Sequence, residues 1–154
     1  MTPELLKYTI KLSVGVVLIA LAAWFVGTRF LPASAAVGTI EGSTNYPSEY
    51  LPEQIVCAEP VAGGAETCVT VPAGDPQLSA PAWSLDVAAG QYYVSARVKD
   101  PSAIGSDLGE YRAYYTKYVT CGLTYECKDH GKIVVTVEAG KTVTGITPYD
   151  WYIH

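Results

Sequence analysis

The chain has 154 residues, of which 49% are hydrophobic and 16% charged, a composition typical of one modest globular domain. Fourteen of its 15 acidic residues but only seven of its 10 basic residues follow residue 35, so this part carries a formal net charge of −7. Because duplex affinity begins with the neutralisation of phosphates, an acidic region without a basic stripe argues against nucleic acid as a partner.

The first predicted element is a single transmembrane helix over residues 12–31. Its first 17 residues, "LSVGVVLIALAAWFVGT", carry no charge and lie between Lys11 and Arg29. Seventeen helical residues span roughly 26 Å, close to the ~30 Å hydrocarbon core of a bilayer. Two lysines before the segment and one arginine after it favour residues 1–11 in the cytoplasm and residues 36–154 outside it, on the far side of the cell membrane.

A cleaved secretory signal is the alternative interpretation of the same segment. The basic start, the apolar core and the small residues Ala33 and Ala35 in "PASA" match such a signal. We favour the uncleaved anchor because the apolar run is long and Arg29 falls in the region before the cut. Both interpretations export the remaining chain to an oxidising compartment, where four cysteines are expected to form disulfides.

The next predicted elements are two strands that flank a short turn in "QIVCAEPVAGGAETCVTV". If the hairpin folds about Ala62 and Gly63, position 57 lies directly opposite position 68. An antiparallel pair that lacks mutual hydrogen bonds brings its Cα atoms to about 4.5–5.5 Å, within reach of a disulfide. We therefore predict a bridge between Cys57 and Cys68.

Two further stretches repeat one pattern, an Ala-Gly turn between two alternating runs: "WSLDVAAGQYYVSARV" and "KIVVTVEAGKTVTGI". Period-two alternation bounded by glycine predicts strands joined as hairpins. Together with strands expected at 37–42, 54–59, 66–71 and 111–119, the pattern predicts an all-β sandwich. The expected buried residues are Leu85, Val87, Tyr93, Val98, Ile133, Val135, Val137, Val143 and Ile146.

The stretch "CGLTYECKDH" contains the other two cysteines, Cys121 and Cys127, followed by His130. A zinc site would need both cysteines as thiolates and at least one further ligand. The oxidising compartment favours a disulfide between them, although four cysteines permit three pairings and this one is chosen by proximity. We predict no metal and expect His130 to be a turn residue.

Four stretches between residues 38 and 152 are similar to a known family: "EGSTNYPSEYLPEQIVCAE", "VAAGQYYVSARV", "YVTCGLTYECKDH" and "VEAGKTVTGITPYDWY". In these stretches the chain resembles a bacterial extracytoplasmic module of the carboxypeptidase-regulatory-like, or transthyretin-like, β-sandwich type. The resemblance implies a Greek-key sandwich of about seven strands, with no catalytic residues. It also implies a structural, adhesive, or protein- or carbohydrate-contacting role. We expect no cofactor.

The residues offer little for catalysis. The chain has two histidines and no serine elbow of the G-x-S-x-G pattern, whereas serine hydrolysis needs a positioned nucleophile, base and acid. Tyrosine is more conspicuous, with 12 residues in the chain, and Tyr, Trp and Arg dominate the binding energy of interfaces. Alternatively, these side chains simply pack the sandwich and cap its ends. The candidate binding residues are Tyr111, Arg112, Tyr114, Tyr118, Trp151 and Tyr152.

These observations favour a non-catalytic, membrane-anchored β-sandwich outside the cytoplasm that binds a protein or glycan or serves structural assembly. One alternative is an accessory subunit of a larger membrane complex, whose residues 12–31 pack on partner helices through small residues. Another is a secreted adhesin or filament subunit, released by cleavage after Ala35.

Overall fold

The computed structural model describes residues 36–74, 80–104 and 111–152. The predicted transmembrane residues 12–31 and the alternative cleavage site at Ala35 lie outside these ranges. None of the helices within the ranges is long and apolar enough to cross a membrane. The described elements are β1 (Val37–Ser43), β2 (Gln54–Pro60), β3 (Thr67–Val71), β4 (Ala82–Ala88), β5 (Gly90–Val98), a 3₁₀ turn (Pro101–Ile104), β6 (Ala113–Tyr114), α1 (Lys117–Thr120), β7 (Val135–Val137) and β8 (Thr142–Ile146).

The strands form two sheets. In the three-stranded sheet the order is β4-β1-β8, and β1 runs antiparallel to β4 but parallel to β8. In the five-stranded sheet the order is β3-β2-β5-β6, with β7 also pairing with β5. The prediction of an all-β fold is confirmed, because the two sheets contain nearly all of the regular structure in the described ranges.

The inward faces of both sheets build one hydrophobic core. Strand β4 alternates strictly between exposed and buried residues, as expected of a strand with one face on the core. The buried members are Ile40, Val56, Ala58, Val71, Trp83, Leu85, Val87, Tyr92, Val94, Ala96, Val98, Ala113, Val135, Val137, Ile146 and Trp151. Most of the predicted core residues are among them, while Ile133 and Val143 are only partly buried.

Tyr93 was predicted to be buried, and this is wrong. Its neighbour Tyr92 enters the core instead, in phase with Val94 and Val98. Successive side chains of a strand point to opposite faces, so residues 93 and 98 cannot share one face of an unbroken strand. The inward phase of Val94 and Val98 turns Tyr93 outward.

The two Ala-Gly turns do not form hairpins. Strand β4 pairs with β1, whereas β5 pairs with β2, so the first turn carries the chain from one sheet to the other. The second turn does the same between β7, which pairs with β5, and β8, which pairs with β1. Alternation predicts a hairpin and a sheet-to-sheet connection equally well, because both place apolar residues on the core side of each strand.

The predicted strand over residues 111–119 is too long. Strand β6 ends at Tyr114, and helix α1 begins at Lys117. Thr116 caps the helix, since its hydroxyl accepts a hydrogen bond of 3.4 Å from the Val119 amide. A threonine side chain that satisfies a free amide of the first turn is a strong start signal for a helix and here overrides β propensity.

Both predicted disulfides are confirmed. The β2–β3 register pairs Cys57 with Cys68, whose Cα atoms lie 4.1 Å apart. Cys121 and Cys127 close the short loop after α1, with a Cα separation of 6.4 Å. Each bridge leaves no thiolate, so neither pair can supply metal ligands while oxidised.

Candidate binding cleft

A small cleft on the outer side of the five-stranded sheet gathers most of the predicted binding residues. Ala96 and Ala113 pair across β5 and β6 and point into the core. The neighbouring pair, Ser95 and Tyr114, therefore points outward. The cavity has a volume of about 70 Å³ and is lined by Tyr111, Arg112, Tyr114, Thr116, His130, Lys132, Asp150 and Tyr152.

Isolated backbone bridges bring three distant segments together at this cleft. Tyr114 pairs with Asp150, and Thr116 pairs with Lys132, both in antiparallel orientation. The segments 111–116, 130–132 and 150–152 thus meet at β6 and the residues on either side of it. The cleft depends on tertiary pairing, because no one segment supplies more than half of its lining.

Arg112 is held in place by a forked ion pair with Glu66. Its two terminal nitrogens donate to the two carboxylate oxygens at 2.6 and 3.0 Å, and one of them also lies 3.5 Å from the Ser95 hydroxyl. This hydrogen bonding lowers the pKa of Glu66 and raises the pKa of Arg112. A bidentate pair fixes the plane of the guanidinium, so Arg112 presents its remaining N–H groups in a defined direction.

The same ion pair lies beside the Cys57–Cys68 bridge. Val56 and Ala58 face the core, so Cys57 faces outward, yet Cys57 is only 1% exposed. The Glu66 carboxylate approaches both sulfur atoms within 4.8 Å. The sulfurs are bonded to each other, so this group is a disulfide with one buried and one exposed half-cystine, and not a metal site.

Lys132 crosses the face of Tyr114. Its Nζ lies 3.5 Å from the centre of the Tyr114 ring and 5.5 Å from that of Tyr93. A cation on an aromatic face at an exposed site contributes about 0.5–1 kcal/mol. The contact holds the ammonium at the mouth of the cleft.

Asp150 links the three segments of the cleft from below. It is only 4% exposed, and its Oδ2 accepts a hydrogen bond of 2.8 Å from the Thr116 hydroxyl. The same oxygen lies 2.8 Å from His130 Nδ1. His130 was expected to be a turn residue, and the structure places it in this network. A buried carboxylate that is bonded to two segments favours one arrangement of the cleft.

The aromatic residues divide between lining and support. Burial, followed by the charge of Asp150, raises the pKa of Tyr111. Trp151 is buried in the core, where its Nε1 donates to the Asn45 carbonyl at 2.9 Å. The ring of Tyr118 lies against that of His130 at a tilt of 37°, with ring centres 4.4 Å apart, and meets Tyr152 edge-on at 5.5 Å.

Of the six predicted binding residues, the structure therefore places Tyr111, Arg112, Tyr114 and Tyr152 on the cleft wall. Trp151 and Tyr118 support that wall from behind. The candidate set did not include four other lining residues, Thr116, His130, Lys132 and Asp150. The only sequence signal for them was their nearness to aromatic residues, since ordinary polar residues in loops carry no local mark of a site.

A second hollow continues the cleft across the sheet. Its volume is about 310 Å³, and it is lined by Glu59, Gly64, Glu66, Arg112 and Tyr114. Arg112 and Tyr114 line both hollows. The outer side of the five-stranded sheet thus offers a polar, aromatic surface centred on these two residues.

A larger hollow of about 570 Å³ lies along the three-stranded sheet. It is lined by Glu41, Gly42, Ser43, Ala82, Trp83, Ser84, Thr144 and Gly145. Trp83 is mostly buried in the core, and the other lining residues are small apart from Glu41. This hollow contains none of the predicted binding residues and no basic group.

Comparison with known proteins adds no assignment. No protein-family model matches the chain, and no curated protein sequence matches it. A solved structure of a leucine-rich repeat protein from Bacteroides thetaiotaomicron VPI-5482 is similar over 78% of this chain and 15% of that chain, with 9% sequence identity and a TM-score of 0.39. A likeness at this level carries no conclusion about fold or function.

Proposed function

We propose that this protein is a non-catalytic binding module outside the cytoplasm, anchored to the cell membrane by residues 12–31, and that its cleft holds a protein or glycan partner. The observation that supports the proposal is the convergence of Tyr111, Arg112, Tyr114 and Tyr152 on one concave wall. Tyrosine and arginine are enriched where interfaces derive their binding energy. The two disulfides suit an exported domain.

The finer fold also belongs to this proposal. The two sheets around one core are compatible with the Greek-key sandwich that the family resemblance implies. Such a module would present the cleft on a rigid scaffold, because the cleft residues are held by ion pairing, cation–π contact and a buried carboxylate. Preformed geometry reduces the ordering cost of binding.

Site-specific crosslinking tests the binding proposal. A photoreactive phenylalanine analogue would replace Tyr152, which is 45% exposed at the cleft, or Tyr50, which is 56% exposed and does not line it. We expect a discrete crosslinked product in cells from position 152 and none from position 50. The product should decrease when Tyr114→Ser is added. No product from position 152, or equal products from both positions, would contradict the proposal.

The intact mass of the protein in membrane and soluble fractions tests the anchor. A membrane-bound species that keeps residues 1–35 supports anchoring, and co-purifying helices of other proteins would favour the accessory subunit. A soluble species beginning at Ala36 would favour the secreted adhesin or filament subunit instead.

A further inference from the structure

The charged side chains at the cleft are not equally paired. Arg112 is matched by Glu66, and Asp150 is engaged by Thr116 and His130. Within the described ranges, by contrast, the ion pairs formed by carboxylates do not include Lys132. Lys132 therefore brings to the cleft mouth a positive charge that no described carboxylate neutralises at close range.

The contact between Lys132 and Tyr114 leaves the lysine ammonium able to donate hydrogen bonds to a ligand. The Tyr114 ring lies 3.5 Å from Nζ and shields one side of it from water. An ammonium has three N–H donors and no acceptor, and a ring face does not replace a carboxylate as a charged acceptor. The lysine is thus positioned in advance and retains donors for a ligand.

The neighbouring groups add further donors. The guanidinium of Arg112 has five N–H groups, and its described contacts with Glu66 and Ser95 use only its two terminal nitrogens. Tyr111 and Tyr152 contribute phenol groups to the same lining. A phenol can donate or accept, and the anionic acceptor of the described lining, Asp150, lies at the base with 4% exposure and already accepts from Thr116. The accessible part of the cleft is therefore richer in donors than in acceptors.

We infer that the cleft takes one carboxylate of an acidic side chain on a partner protein. A carboxylate offers only acceptors, which complements Lys132 and Arg112. The volume of about 70 Å³ suits a single side-chain group and not a polymer chain. The surrounding tyrosines favour a protein as the source, since tyrosine is enriched in protein interfaces. This inference rests on the proposed function, because it names the chemistry that the same cleft would recognise.

A pair of peptides that differ only in charge tests the inference. The full chain, isotope-labelled and purified in mild detergent, is titrated with acetyl-Gly-Glu-Gly-amide and with acetyl-Gly-Gln-Gly-amide. Amide chemical shifts of residues 111–118 and 130–132 report binding. We expect saturable shifts with the glutamate peptide and about tenfold weaker binding of the glutamine peptide, since charge-assisted hydrogen bonds are the stronger kind. Added salt should lower the affinity for the glutamate peptide and leave the affinity for the glutamine peptide unchanged.

Two lysine variants provide the matched control. Lys128 also lies over a tyrosine, with Nζ 5.0 Å from the Tyr125 ring, but it does not line the cleft. Lys132→Gln should lower the affinity for the glutamate peptide about tenfold. Lys128→Gln makes the same change of net charge and should alter that affinity less than about twofold. If Lys132→Gln does not fold, two measurements on the unaltered chain decide the question. These are the salt dependence of glutamate-peptide binding and the affinity for the glutamine peptide.

The outcomes separate this inference from the proposed function. Equal affinity for both peptides, no binding of either, or equal losses in the two lysine variants would overturn the carboxylate ligand. Tighter binding of methyl glucuronide than of the glutamate peptide would overturn the protein source and indicate an acidic glycan. In each of these cases a crosslink specific to position 152 would still support the cleft as a binding site, and its absence would remove both conclusions.

Discussion

The two sheets share one core but differ on their outer faces. On the three-stranded sheet the outward residues include Thr39, which donates to Asp86 at 2.8 Å, and other small or acidic side chains. On the five-stranded sheet they include Arg112 and Tyr114, with Lys132 lying across the tyrosine. Inward residues must satisfy the packing of a common core, whereas outward residues are free to carry contacts. The interior therefore determines stability, and the proposed recognition falls to one exterior face.

The largest loss of stability is expected at a position of the three-stranded sheet that has no room for a side chain. A Cβ at Gly42 would overlap the carbonyl group of Ile146 on β8. We expect Gly42→Ala to lower the free energy of unfolding by roughly 3 kcal/mol, because overpacking here separates paired backbones. Urea unfolding of the full chain measures the change. Gly90→Ala is the control, since its nearest contact would be 3.4 Å, and an equal loss there would contradict the prediction.

The disulfides should contribute next, and unequally. Replacing Cys57 and Cys68 by alanine should lower the free energy of unfolding by about 2.8 kcal/mol in the chain-entropy model, and replacing Cys121 and Cys127 by about 2.3 kcal/mol. The difference follows from sequence separations of 11 and 6 residues. Urea unfolding of the two double variants measures it. A larger loss of unfolding free energy from the Cys121 and Cys127 replacement would contradict the prediction. It would show that the second bridge stabilises the fold through more than the closure of its own short loop.

A smaller effect is expected at the junction between fold and cleft. Thr116→Val removes the cap of α1 and the hydrogen bond to Asp150. The free energy of unfolding should fall by about 1–2 kcal/mol. Thr120→Val is the matched control, because its hydroxyl bonds only within the exposed helix end, to the Lys117 carbonyl. Thermal unfolding of both variants is the measurement, and equal midpoints would exclude a special role for Thr116.

The smallest effect concerns pH and the ion pair on the outer face. The pKa of Glu66 is lowered from its ordinary value of 4.5 chiefly by hydrogen bonding to Arg112. A lowered pKa in the folded state contributes stability that is present above pH 4.5 and is lost as the pH falls through the folded value. We expect Glu66→Gln to reduce this acid-dependent loss slightly, since the pair is partly solvent-exposed. Urea unfolding midpoints of the unaltered chain and of Glu66→Gln, measured at pH 3 to 6, test this. The same pH dependence in both proteins would contradict the prediction.

Much of the described fold was predictable because it depends on local pattern. Alternation located β1 to β5, and the symmetry of "CAEPVAGGAETC" placed Cys57 opposite Cys68. The aromatic and arginine residues of 111–114 were identified as candidates by residue type alone. The end of β6 was missed because the Thr116 cap competes with β propensity over a few residues. The outward position of Tyr93 follows from the phase of Val94 and Val98 along β5, which places Tyr92 on the core side instead.

By itself, the sequence determined most of the described strands and the position of Cys57 opposite Cys68, since both follow from short-range periodicity and spacing. Only the tertiary structure decided that each Ala-Gly turn connects two sheets, because alternation is the same on either path. It also decided which polar residues join the tyrosines. Lys132 and Asp150 reach the cleft through pairing between distant segments, and no local pattern encodes such pairing.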